Sequence, residues 1–154
     1  ASDLIERKRK RGKLPDMIVV SPGENVQHAI ELMELHQVDQ IPVVTEDGQN
    51  VGHINDLVAM QVVFERKDPA KISVSSIMGR PFPQLDVRTE IDQLYKTFRL
   101  GNSLVVLTKD GKAVGVVTKF DIMTHLREAV GSHDEVEKEL VKHKKEETKM
   151  GAKK

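Results

Sequence analysis

Apolar residues recur along this chain with two different periods, and they do so twice in the same order. Val26, Ala29, Ile30 and Met33 follow i, i+3, i+4, i+7, and Ile91, Leu94, Tyr95 and Phe98 repeat that spacing, so each set forms one apolar stripe on a helix. Behind each stripe comes a short apolar run, Ile41-Pro42-Val43-Val44 or Leu104 to Leu107, and then a second run that opens on Val51-Gly52 or Val114-Gly115. Asp47-Gly48 separates the runs of the first set and Asp110-Gly111 those of the second, each with the chemistry of a hairpin turn. Gly48 and Gly111 lie 63 residues apart, as do Gly52 and Gly115, which marks an internal repeat.

The first copy reads as a strand over Met17 to Val20 and a turn and helix start at Ser21-Pro22-Gly23-Glu24, with Ser21 and Glu24 in capping-box spacing. The stripe helix follows, then the strand Ile41 to Val44, the turn Glu46 to Gln49, a strand over Val51 to Ile54, and a helix from near Asn55. The second copy gives Gln84 to Val87, a stripe helix after Thr89, Leu104 to Leu107, the turn Lys109 to Lys112, Ala113 to Val117, and a helix from Thr118 to about Ala129. The fold class is therefore α+β, two β-α-β-β-α units in a pseudo-two-fold arrangement, each small sheet covered on one face by helices. Neither unit can bury its own apolar face, so the two should pack on each other and leave clefts along their seam. The expected divisions are a first unit at 1–64, a linker at 65–73 around Asp68-Pro69, a second unit at 74–131 and a charged tail at 132–154. That tail is a solvated helical extension or a disordered segment.

Composition narrows the function classes. Net charge is zero, which removes a whole-chain argument for nucleic acid or an anionic membrane. The dense run Arg7-Lys8-Arg9-Lys10-Arg11-Gly12-Lys13 reads first as a solvated loop beyond an anchoring turn at Leu4-Ile5, with an anion contact as the alternative. Aromatic residues make up 3% of the chain, so the core must be aliphatic and there is no stacking platform for single-stranded nucleic acid. Without cysteine there is no disulfide framework, thiolate metal site or cysteine nucleophile, and a cytoplasmic setting is expected. No run approaches the ~18 apolar residues of a membrane-spanning helix, and the start at Ala1 suggests processing or a piece of a longer protein. The histidines at 28, 36, 53, 125, 133 and 143 show no metal-ligand spacing and read as surface residues. Met33, Met60, Met78 and Met123 read as fillers of the core or the seam.

The order of these segments resembles a CBS domain, and the tandem resembles a CBS pair, or Bateman module. The second copy carries the likeness best: Val114-Gly115-Val116-Val117-Thr118-Lys119-Phe120-Asp121-Ile122 is similar to the family's Gly-apolar-apolar-Thr-x-x-Asp-apolar segment, which in that family contacts a nucleotide. The lead-in Ser75-Ser76-Ile77-Met78-Gly79-Arg80-Pro81-Phe82-Pro83 is likewise of the family's type, echoed by Ser2-Asp3-Leu4-Ile5. Within the family, the chain is most similar to the C-terminal regulatory region of cystathionine β-synthase. Nothing of that enzyme's pyridoxal-phosphate domain is present, so the likeness implies a detached regulator or one part of a larger enzyme.

The resemblance makes Thr118, Lys119 and Asp121 the first candidate site residues, and physical chemistry agrees. A helix N-terminus offers unpaired N–H groups and a positive dipole end, Thr118 adds a hydroxyl, and Asp121 one turn on can accept from a ribose diol. Adenine would lie against the seam between Phe82-Pro83 and Leu104-Val105. AMP, ADP, ATP and S-adenosylmethionine are the candidate ligands, and no cofactor is required. Thr118-x-x-Asp121 is equally an N-cap with an acidic residue at N3, worth about 1 kcal/mol to the fold without any ligand. The first copy has Asn55 and Val58 at the matching positions, able to cap but not to hold a ribose, so one competent adenosine site is expected.

Catalysis finds no support, since the glycines are not followed by Gly-Lys-Ser/Thr and no Gly-x-Ser-x-Gly occurs. The expected function is regulatory: an adenosine-containing ligand binds the seam and modulates an associated enzyme or transporter, with the module paired as a homodimer. The competing expectation is a ligand-free structural or interaction module. Nucleic-acid binding through Arg7 to Lys13 is the weakest of the three.

Overall fold

The computed structural model describes residues 17–129. The expectations placed on Leu4-Ile5, the basic run and the charged tail lie outside the described residues. Two compact units divide the chain, one ending at Thr118 and the other starting at Lys119.

In the first unit the stripe helix α1 spans Val26–His36, followed by β1, Gln40–Val44, β2, Asn50–Asn55, and α2, Asp56–Phe64. A single 3-10 turn at Pro69–Lys71 leads to the short helix α3, Val74–Ile77. The second copy then supplies β3, Gln84–Asp86, α4, Ile91–Arg99, β4, Leu104–Lys109, and β5, Lys112–Thr118. The other unit contributes α5, Lys119–Ala129.

The sheets follow the repeat. β1 and β2 are antiparallel, while β3 runs parallel to β4 and β4 antiparallel to β5. The expected first strand over Met17 to Val20 is reduced to one parallel bridge between Val20 and Val43, made by Val20 N–H to the Pro42 carbonyl at 3.1 Å and Val44 N–H to the Val20 carbonyl at 2.9 Å. Both hairpins carry a one-residue irregularity at the same place, passing over Val51 between Asn50 and Gly52 and over Val114 between Ala113 and Gly115. An extra residue resets the alternation of the strand, which brings Asn50 and His53 to one side.

The two Asp-Gly dipeptides make different turns. Asp110 and Gly111, at φ 54° and 77°, close a two-residue hairpin between the paired Lys109 and Lys112. Asp47-Gly48 sits in a longer loop between the paired Val44 and Asn50, where the Gly48 carbonyl accepts from Ala113 N–H at 2.8 Å and so joins the two hairpins.

The helix start also differs from the sequence expectation. Asn25, not Ser21, caps α1, its Oδ1 accepting from His28 N–H at 2.9 Å. Ser21 and Glu24 close the turn before it: Glu24 N–H donates to the Ser21 carbonyl and Ser21 N–H to the Glu24 carboxylate. Both positions carry cap-forming residues, and Val26, the first stripe residue to be buried, selects the nearer one.

One aliphatic core joins Val20, Ala29, Met33, Ile41, Val43, Ile54 and Ala59 of the first copy with Val74 of α3. Full burial of a Val, Leu or Ile side chain contributes roughly 1.5–3 kcal/mol. The lead-in to the second copy is therefore anchored in the first. Its hydrogen bonds agree: Val26 N–H donates to the Ile72 carbonyl, Val74 N–H to Glu24 and Ser75 N–H to Pro22, at 2.8 to 2.9 Å. A second cluster joins Val44 of the first copy to Leu104, Val106 and Ala113 of the second, with Met17, Val19, Phe82 and Val116 against it.

Candidate functional site

Register positions the second-copy residues. Leu104 stands opposite Thr118 and Val105 opposite Val117 across β4 and β5, with Leu104 and Val105 buried and Thr118 half-buried at the strand end. Phe82 packs on the cluster that holds Leu104, and the Pro83 carbonyl accepts from Val106 N–H at 2.9 Å. Phe82, Pro83, Leu104, Val105 and Thr118 thus come together within one unit. Lys119 and Asp121 belong to α5 in the other unit, Lys119 exposed and Asp121 half-buried in the first turn.

The segment Met78 to Phe82 forms a strap along β2. His53 and Gly79 exchange backbone hydrogen bonds, at 3.2 Å from His53 N–H and 2.9 Å from Gly79 N–H. The His53 ring bonds through Nδ1 to the Arg80 carbonyl and lies 4.8 Å from the Phe82 ring, centroid to centroid. A carbonyl only accepts, so Nδ1 carries the proton in that bond. At the far end of the strap, Asn50 Nδ2 donates to the Phe82 carbonyl at 2.9 Å. Strap carbonyls keep a second lone pair each for another donor.

His53 is thus a clasp, not the surface histidine its sequence position suggested. Its role depends on a strap 26 residues downstream in the chain, which no local periodicity reveals. Met33 is buried and Met78 packs on the core, as expected of gap fillers, whereas Met60 and Met123 are 61% and 60% exposed. They occupy the same repeat position, as do the exposed Leu57 and Phe120.

In the first copy, Asn55 caps α2, its Oδ1 accepting from Val58 N–H at 2.9 Å, and Val58 offers no polar group. An apolar groove of about 420 Å³ runs between α1 and α2 over Met33, Val38, Ala59 and Met60. A larger, polar recess of about 610 Å³ lies between Gly23–Asn25 and Ala70–Ser73. Asp86 is held below the usual carboxylate range, first by the Arg88 side chain and then by Arg88 N–H. Among the described residues no group of three or more His, Asp or Glu could hold a metal ion, and no helix is long and apolar enough to cross a membrane.

The CBS domain family model matches residues 13–57 and 74–128. The chain is 25% identical over 118 residues to cystathionine beta-synthase of Dictyostelium discoideum, covering 73% of this chain and 24% of that protein. It is 30% identical over 112 residues to the chloroplastic CBS domain-containing protein CBSX1 of Arabidopsis thaliana, covering 73% of this chain and 40% of that one. The chain therefore spans well under half the length of either relative. The crystal structure of the CBS-pair protein CBSX2 from Arabidopsis thaliana superposes with a TM-score of 0.65 at 18% identity, over 76% of this chain and 90% of that one, a likeness of fold.

Proposed function

As the chain belongs to the CBS-domain family and carries the domain in tandem, a regulatory rather than catalytic type of module, we propose that it senses an adenosine-containing ligand. The ligand is AMP, ADP, ATP or S-adenosylmethionine, and the residues that hold it are Thr118, Lys119 and Asp121 with Phe82, Pro83, Leu104 and Val105 as the base wall. The observation that carries this reading is the contrast between the copies. At the matching positions the first copy has Asn55, which caps α2, and Val58, which carries no polar group, whereas the second copy has a hydroxyl at Thr118 and a carboxylate at Asp121. A hydroxyl and a carboxylate three residues apart at a helix start suit a phosphate and a ribose diol. The packing of Phe82 on the cluster that holds Leu104, and the pairing of Leu104 with Thr118, support the same reading.

Binding would act by shifting how the module sits within a larger assembly, and it can do so only by its difference in affinity for two arrangements. The regulated partner is a catalytic domain, enzyme or transporter. A homodimer is the proposed assembly, supported by the exposed apolar Leu57 and Met60 of α2, since a helix that leaves apolar side chains uncovered suits an interface between copies. Compartment follows the partner, and the cytoplasm is the proposed one. Calorimetric titration of the whole chain with the four ligands, repeated on Asp121→Ala, tests the reading: saturable binding lost in the variant supports it, and a folded protein silent to all four refutes it.

A further inference from the structure

α2 is apolar around its whole circumference, Gln61 being its one polar residue after Asp56, and Leu57, Met60, Val63 and Phe64 stand exposed on it. A helix of that kind is normally covered on every side. Beside it, the groove between α1 and α2 is lined by Met33, Val38, Ala59 and Met60, with the exposed carboxylates of Glu34, Asp39 and Asp56 at its edges. No ion pair among the described residues involves any of the three. The groove therefore calls for an apolar side chain flanked by cations.

The second copy carries that chemistry at the end of α4. Its stripe runs 65 residues behind the first, Ile91 for Val26 and Phe98 for Met33. In that register Glu31, Glu34 and Leu35 of α1 become Lys96, Arg99 and Leu100, all six exposed. Spacing of i, i+3, i+4 sets each trio on one helix face. Leu100 is 85% exposed, an apolar side chain between two cations and solvent. The two faces also stand in a two-fold relation. Gln40 and Ser103, separated by the 63-residue offset of the hairpins, bond to each other, Gln40 Nε2 donating to Ser103 Oγ at 2.9 Å and Ser103 Oγ to Gln40 Oε1 at 3.2 Å. Repeat-matched residues meet where the axis between the copies passes, and α1 and α4 each end four residues before that point.

We infer that two copies of this chain pair head to tail, each seating Leu100 in the α1–α2 groove of the other, with Lys96 and Arg99 set against the groove's carboxylates. This rests on the homodimer reading above and adds which half of one chain faces which half of the next. It makes no use of the ligand reading. A module of two similar halves can pair like with like or like with unlike. Like with like sets Glu31 and Glu34 against themselves, and Lys96 and Arg99 against themselves, whereas the head-to-tail arrangement opposes acid to base at both ends. Like charges facing across an interface disfavour a pairing, and opposite charges fix its register. A two-fold axis between the chains makes the same contact twice and closes the assembly at two.

The test is sedimentation equilibrium of the full chain, as wild type and with charges reversed. Lys96→Glu with Arg99→Glu is expected to raise the dimer Kd about tenfold or more, and adding Glu31→Lys with Glu34→Lys to the same chain to bring it back to within about threefold of wild type. Should a reversed chain fail to fold, cross-linking decides, because the chain has no cysteine of its own. Met60→Cys chains mixed with Leu100→Cys chains are expected to form a disulfide-linked dimer that neither forms alone. A dimer indifferent to the reversal, or Met60→Cys chains that link to one another and not to Leu100→Cys chains, overturns the head-to-tail inference while leaving the homodimer intact. A wild-type chain that stays monomeric removes the homodimer reading, and this inference with it.

Discussion

Gly52 and Gly79 pass so close that a Cβ on Gly52 would stand 2.9 Å from the Gly79 carbonyl oxygen and 2.7 Å from Met78 Sδ. That approach lets the strap lie on β2, where His53 and Asn50 fasten it. The strap leads directly into Pro83 and β3, so a single contact in the first copy positions the start of the second copy's sheet.

Gly52→Ala is expected to destabilise the chain by about 1–3 kcal/mol, because the thioether can move aside and the carbonyl cannot without shifting the strap. Gly23→Ala is the control: a Cβ there meets nothing within 4 Å, and the change is expected to stay within about 0.5 kcal/mol. Urea unfolding of both variants decides it, and equal midpoints would refute the close approach.

Val74 belongs to α3 in sequence and to the first copy's core in space. Val74→Ala is expected to cost about 2 kcal/mol, two methyl groups' transfer plus a residual cavity. Ser75→Ala, on the exposed side of the same turn, is expected to cost far less. Denaturant midpoints that rank the two the other way would contradict the anchoring of the lead-in.

Much of this was legible in the chain. The two stripes became α1 and α4, with Val26, Ala29, Met33, Leu94 and Phe98 buried, because a 3.6-residue period is a local property. The hairpins followed from alternating runs around Asp-Gly, although loop length, not the dipeptide, separated the two turns. What stayed hidden depends on distant pairing. Met17 to Val20 is apolar enough for a strand, but hydrogen bonding to the first copy extends only to Val20. His53 and Asn50 look like ordinary polar strand residues until the strap arrives, 32 residues beyond Asn50 at Phe82. Met60 and Met123 look like core fillers because hydropathy does not reveal which helix face a neighbour covers.

Asn55→Ala is expected to cost about 1 kcal/mol through loss of the α2 cap, with nucleotide binding unchanged. Thermal unfolding and titration on one preparation separate the two effects. Loss of nucleotide binding in this variant would show that the start of α2 contributes to the ligand site.

Asp86 and Arg88 give a pH signature at the end of β3. With its native pKa depressed by Arg88, Asp86 stabilises the fold fully above the ordinary value of 3.8, and that contribution is lost as pH falls through the lower native value. The pair is exposed, so the stability effect is small. The side-chain carboxyl resonance is the better readout: it is expected to titrate below the ordinary range and to move up toward it in Arg88→Ala. An unchanged titration in the variant would rule out Arg88 as the cause.

Calorimetric titration of AMP, ADP, ATP and S-adenosylmethionine into the whole chain bears most directly on the proposed sensing role. One saturable site per chain for at least one ligand, abolished by Asp121→Ala while the variant remains folded and still unfolds cooperatively, is the expected result. A folded chain that binds none of the four, or binds equally well without the Asp121 carboxylate, would contradict it.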